Sequence, residues 1–154
     1  MQVHLMELAD EYSLIGIHTS EEDFRLAFLL NQTLKIKFSK FKNDLDFKNN
    51  AASFSVFEYV DENNQLTNYL ISNKCIGDAN VELNTSLFSN EVSYSNLSYL
   101  ISEKKKVDYF FKIEGDISKS ELNKIITKIN HIDQVITSYK ICPANLKSKD
   151  YLIF

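Results

Sequence analysis

The side chains that most often do chemistry are few in this sequence, and their spacing does not favour it. Histidine occurs at His4, His18 and His131, and none has a second His or Cys at a metal-ligand interval. No metal site, no cofactor and no catalytic residue is assigned on that basis. His18 closes a predicted strand just before a helix, where the ordinary role is a hydrogen-bonded strand-end imidazole. His131 stands on the polar side of a helix near its C-terminus, where a cation suits the helix dipole. Cys75 and Cys142 lie far apart in no paired spacing. A thiol nucleophile needs a base within reach, and none is suggested beside Cys142, which reads as a buried, inert thiol. Gly16, Gly77 and Gly115 are the only glycines, too few and too scattered for a phosphate-cradling loop.

One compact run carries charge of both signs. Lys104, Lys105 and Lys106 are flanked by Glu103 and Asp108, with Tyr109 next. The lysines read as a solvated turn between a long loop and a strand. Alternation in that strand places Val107 and Tyr109 on one face and Asp108 on the other. Two roles follow for the carboxylates. They accept bonds from turn amides or pair with a lysine, a surface gain of about 0–1 kcal/mol. Alternatively, Glu103, Asp108 and the Tyr109 hydroxyl converge beside the polar 84–98 loop to bind a partner. Glu103, Lys104, Lys105, Lys106, Asp108 and Tyr109 are therefore the candidate interaction residues.

The same run, Ile101-Ser102-Glu103-Lys104-Lys105-Lys106-Val107-Asp108-Tyr109, resembles the name-giving motif of the IPExxxVDY family. Ile101, Glu103, Val107, Asp108 and Tyr109 match, and Ser102 stands where the motif has proline. The resemblance extends to Asp23-Phe24-Arg25-Leu26-Ala27 and to Leu146-Lys147-Ser148-Lys149. It implies a small protein of Bacteroidetes-type bacteria. The family is one of unknown function, so the resemblance implies no mechanism.

The bulk properties bound the rest. A chain of 154 residues favours one domain, residues 1–154, and needs no metal or disulfide staple to hold a core. A net charge of −4 disfavours nucleic acid and anionic membrane surfaces as partners. The first residues lack a basic, then apolar, leader pattern, so a cytoplasmic location with reduced thiols is expected. Lysine, asparagine, isoleucine and phenylalanine are abundant, as AT-rich codons dictate, which cautions against reading each lysine cluster as a binding patch.

The elements that must position these residues are legible in outline. Residues 12–19 read as a strand, followed by a helix with Thr19 as cap, Glu22 completing a capping box, and Glu21, Glu22 and Asp23 in its first turn. Phe24, Ala27, Phe28 and Asn31 form its stripe, widened by Leu26, Leu29 and Leu30. Residues 34–41 alternate as a half-buried strand, and 42–52 read as irregular. Residues 53–60 and 66–73 make a hairpin, and 75–98 a long loop. Residues 106–114 form a strand whose inner face carries Val107, Tyr109, Phe111 and Ile113. Ser118 and Glu121 cap a second helix with the stripe Leu122, Ile125, Ile126 and Ile129. Residues 133–141 return as a strand with Val135, Thr137, Tyr139 and Ile141 on one face. The ending 151–154 is a short strand or docked tail.

The order β-α-β, hairpin, β-α-β predicts an α+β two-layer sandwich. Its mixed, mainly antiparallel sheet carries both helices on one face, in a ferredoxin-like or ACT-like topology. Phe57, Tyr59, Tyr69, Ile71 and Phe110 compete for the opposite phase of their strands, and apolar surface left on the uncovered face points to self-association as a homodimer. The function expected is a non-catalytic binding or assembly module with a protein partner. The alternative is an ACT-like domain sensing a small molecule, which a pocket with polar groups at the sheet edge would favour.

Overall fold

A computed structural model describes residues 12–41, 45–47, 52–76 and 97–153. Strands β1 (Tyr12–Thr19), β2 (Ser39–Lys40), β5 (Val56–Asp61), β6 (Leu66–Ser72), β9 (Tyr109–Glu114) and β10 (Val135–Ile141) form one sheet in the order β10-β1-β9-β6-β5-β2. Two two-stranded sheets, β3 (Leu45–Phe47) with β4 (Ala52–Phe54) and β7 (Lys74–Ile76) with β8 (Leu97–Tyr99), accompany it. Every described pairing is antiparallel. The strands joined by helix α2 (Lys119–Asn130) do run parallel, but β1 lies between them, so β9-α2-β10 is a split β-α-β unit. Within 42–52, expected to be irregular, Leu45–Phe47 and Ala52 are paired in the β3–β4 sheet, and the rest of that stretch lies outside the described residues.

Both helices cover one face. Leu26, Ala27, Leu29 and Leu30 of α1 (Asp23–Leu34) and Leu122 and Ile129 of α2 pack with Ile15, Ile17, Leu70, Phe111 and Ile113 of the sheet. The α2 capping box forms as expected, with Ser118 Oγ accepting from the Glu121 amide at 3.1 Å. Ile125 and Ile126 are only partly buried, because α2 sits over the sheet edge made by β10. In α1 the stripe is rotated from the expected one. Phe24 and Phe28 are 65% and 54% exposed, Phe24 resting edge-on against Phe57. The box at Thr19 does not form. Glu22 is the N-cap, and Thr19 is used elsewhere. The helix also runs through Leu34 to a left-handed Lys35, which shortens the predicted strand to two residues.

The opposite face is covered by the chain itself. Phe54, Leu100, Ile101, Val107, Leu146 and Leu152 pack there on Leu14, Val56, Tyr69, Ile71 and Phe110. Of the apolar residues that suggest a dimer face, Tyr69, Ile71 and Phe110 are thus buried under the chain's own covering layer, while Phe57 and the partly buried Tyr59 pack on the helix side. Val107 belongs to this side, not to the face of Tyr109, because the strand starts only at Tyr109. Gly16 makes room for it: a Cβ there would lie 2.6 Å from Ile141 Cδ1 and 3.3 Å from Val107 Cγ2. The expected phase of β10 also breaks. The register slips between His18 and Thr19, leaving Ile136 76% exposed and sending Val135 and Ile141 to opposite faces.

Candidate functional site

The 101–109 run folds as a tight turn held from below by a residue outside it. Asn73, fully buried, follows β6. Its Nδ2 donates to the carbonyls of Lys104 (2.9 Å) and Val107 (2.8 Å), and its Oδ1 accepts from the Ile101 amide (2.7 Å). Its own amide donates to the Asp108 carbonyl at 3.0 Å. A 3-10 turn, Ser102–Lys104, closes through the Lys104 amide to Ile101 and the Val107 amide to Lys104, both 3.0 Å. Lys104, Lys105 and Lys106 consequently stand in solvent, Lys105 over the Tyr99 ring at 5.7 Å.

The carboxylates of the run serve different neighbours. Glu103 accepts from the Ser148 amide (2.8 Å) and hydroxyl (2.9 Å), tying this turn to the C-terminal turns. Partial burial pulls the Glu103 carboxyl upward. The Ser148 donors and the backbone amides of residues 103 and 147 outweigh it, so the group lies below its ordinary value. Asp108 turns the other way. Its Oδ2 accepts from the Thr19 amide at 2.8 Å and its Oδ1 meets Lys74 Nζ at 2.5 Å. Tyr109 donates its hydroxyl to the Glu21 carbonyl at 2.7 Å. Burial, and after it the carboxylates of Asp23, Asp108, Glu22 and Glu21, raises that hydroxyl above the ordinary phenol range. It therefore remains a donor and does not act as a base at neutral pH.

Asp108 and Tyr109 thus come together, and Glu103 does not join them. They line a cavity of about 580 Å³ at one end of the sheet. Thr19, Ser20 and Glu21, where β1 passes into α1, form one wall, and Ser72, Lys74 and Cys75 form another. Leu97 and the bulged Ile136 supply apolar surface. Residues 84–96 of the loop expected beside this run lie outside the described residues. Leu97 shows that its far end reaches the cavity.

Asn73, Lys74 and Thr19 were not among the sequence candidates. The signal for Asn73 was available: a lone amide ending an apolar strand, in a residue type suited to bonding nearby backbone. Buried Lys112 was also missed. It lies between the Tyr12 and Tyr69 rings, 4.9 and 5.4 Å from their centroids, pairs with Glu114 at 2.7 Å and donates to the Leu152 carbonyl.

The other candidates take ordinary places. His18 Nε2 lies 2.7 Å from the Tyr139 hydroxyl, and His131 Nδ1 lies 2.7 Å from the Thr127 carbonyl. Both cysteines are free. Cys142, expected inside, is exposed, because it follows the last residue of β10 at the sheet edge, while Cys75 is partly buried in the cavity wall. Among the described residues no group of three His, Cys, Asp or Glu side chains is placed to hold a metal ion, and no helix is long and apolar enough to cross a membrane. No family model, no curated protein and no solved structure matches the chain.

Proposed function

We propose that this chain is a non-catalytic binding module of the cytoplasm that takes a small molecule in the cavity at the end of its sheet. The observation that carries this reading is the cavity itself. It is of ligand size, and it joins apolar surface from Leu97 and Ile136 to the polar groups of Lys74, Asp108 and Thr19. The polar walls are already braced by bonds to backbone, as a preformed site requires. This favours the small-molecule-sensing alternative over a partner surface made by the whole 101–109 run. Kinship with IPExxxVDY proteins is part of the proposal, resting on Ile101, Glu103, Val107, Asp108 and Tyr109.

The test is a melting-temperature and native mass spectrometry screen against a defined set of small acids, amines, sugars and nucleosides. It compares the wild type with Ser20→Trp, which puts a ring at the cavity mouth. A compound that binds the wild type and not the blocked variant supports the reading. Equal binding to both, or no binding at all, refutes it.

A second reading, self-association, is favoured by Phe24 and Phe28 together on the outer side of α1, with Arg25 over the Phe28 ring at 5.7 Å. The partner on this reading is a second copy of the chain.

A further inference from the structure

We infer that the cavity takes a ligand bearing an ammonium group on a short apolar body, with Lys74 holding the ammonium position until that ligand displaces it. The inference rests on the cavity being a binding site and names its ligand class. Three observations carry it. The walls hold two carboxylates, Glu21 and Asp108, against one ammonium, Lys74, so the cavity is acidic. An anion would meet repulsion there, and a cation attraction.

The Lys74–Asp108 pair is also unequal. The Asp108 side chain is 15% exposed and that of Lys74 is 41% exposed. Asp108 stays fixed by the Thr19 amide whether or not Lys74 is present. Lys74 can therefore swing into water, while the carboxylate it leaves needs another cation, because a partly buried charge without a partner is costly. Finally, Leu97 and Ile136 are 46% and 76% exposed at the cavity, apolar area that a ligand's hydrocarbon part would cover.

The experiment uses n-butylammonium and butyrate as matched probes at constant ionic strength, read by the amide resonances of Thr19, Ser20, Lys74 and Tyr109. The expected result is saturable shifts with the amine and none with the acid. Lys74→Met removes the internal competitor while leaving Asp108 braced, so the amine should bind about two- to five-fold tighter. Asp108→Asn should abolish the shifts. Since Asp108 also braces Thr19, Glu21→Gln provides a second variant, in which amine binding should weaken. Weaker amine binding in Lys74→Met overturns the displacement. Saturation by butyrate and not by the amine overturns the ligand class but leaves the cavity as a binding site. No saturation by either probe overturns the ammonium assignment, and the broader screen above then decides the cavity separately.

Discussion

Asn73→Ala is the substitution with the most to say about how the 101–109 run is held. The side chain makes three bonds to backbone, to Ile101, Lys104 and Val107, and is wholly buried. The Lys104 carbonyl belongs to an exposed residue and already accepts from the Val107 amide, so it can turn to water. The Ile101 amide and the Val107 carbonyl belong to buried residues and are left without this partner. Each buried unpaired group costs about 1–3 kcal/mol, which puts the loss at about 2–4 kcal/mol if water recovers part of it. That is a large share of a typical stability of about 5–15 kcal/mol. The melting temperature should fall by about 4–16 °C for a chain of this size. Urea unfolding followed by circular dichroism measures it, with the m-value checked for constancy.

Asn73→Asp sharpens the test. It keeps the acceptor and the shape but sets a carboxylate against two carbonyl oxygens. Burial and those oxygens disfavour its charged form, so its folded pKa is raised above the unfolded value of about 3.9. The native state then holds the proton more tightly, and the deficit against wild type should grow as pH rises above about 4. A loss under about 1 kcal/mol for Asn73→Ala, or a deficit in Asn73→Asp that does not change with pH, refutes the account of this turn.

Other consequences are as direct. Ser102 opens a 3-10 turn, no described group accepts from its amide, and Ile101 before it is extended at φ −110° and ψ 93°. Ser102→Pro should therefore be tolerated and add about 0.4–1 kcal/mol, whereas a destabilised variant would show a strained turn. Glu103 lies below its ordinary value in the folded state, so its contribution is present above the unfolded pKa and lost as pH falls through the folded one. Glu103→Gln should remove that acid-side loss from an unfolding series across about pH 2–6, and an unchanged pH profile would count against the Ser148 contact. Ile129→Ala, at a fully buried position, should cost about 2–5 kcal/mol, and the half-buried Ile126→Ala less, by urea titration. Replacing both Phe24 and Phe28 with Ser should turn a dimer into a monomer by light scattering at high micromolar concentration. A monomeric wild type would end the self-association reading.

The parts of the fold that could be read from sequence are those written locally. Ser118 and Glu121 lie three residues apart, and the stripe of α2 repeats on its own polar background, so neither depends on distant chain. The 56–72 hairpin is similar, its strands flanking a short polar connector. In α1 the residues Leu26 to Leu30 are continuously apolar, and periodicity cannot choose which side of such a helix faces inward. Alternation puts Val107 on the face of Tyr109, but the turn bond from its amide to Lys104 resets the backbone before the strand begins. The bulge opposite His18 shifts β10 in the same way. Asn73 reaches Ile101, Lys104 and Val107 across 28, 31 and 34 residues, separations that no local pattern reports. The cavity is hidden for the same reason, since β1, β6, β7, β8, β9 and β10 each bring a piece of it or an adjoining residue.

The polar groups that matter most share a further property. A sheet with both helices on one face must cover its other face, and here irregular chain does so. Leu100, Ile101, Val107, Leu146 and Leu152 bury well, but apolar burial has no direction and does not fix where a turn docks. Direction comes from Asn73 beneath the 101–107 turn, Glu103 on Ser148 and Lys112 on the Leu152 carbonyl, each joining segments distant in sequence. Leaving the buried members, Asn73 and Lys112, unpaired is costly, so each admits one docking geometry and penalises its neighbours. Asp108 belongs to this set through the Thr19 amide, and it also lines the cavity and pairs there with the more exposed Lys74. The run that reads as one interaction surface is therefore divided: Glu103 ties the turn to Ser148 in the covering layer, and Asp108 lines the cavity.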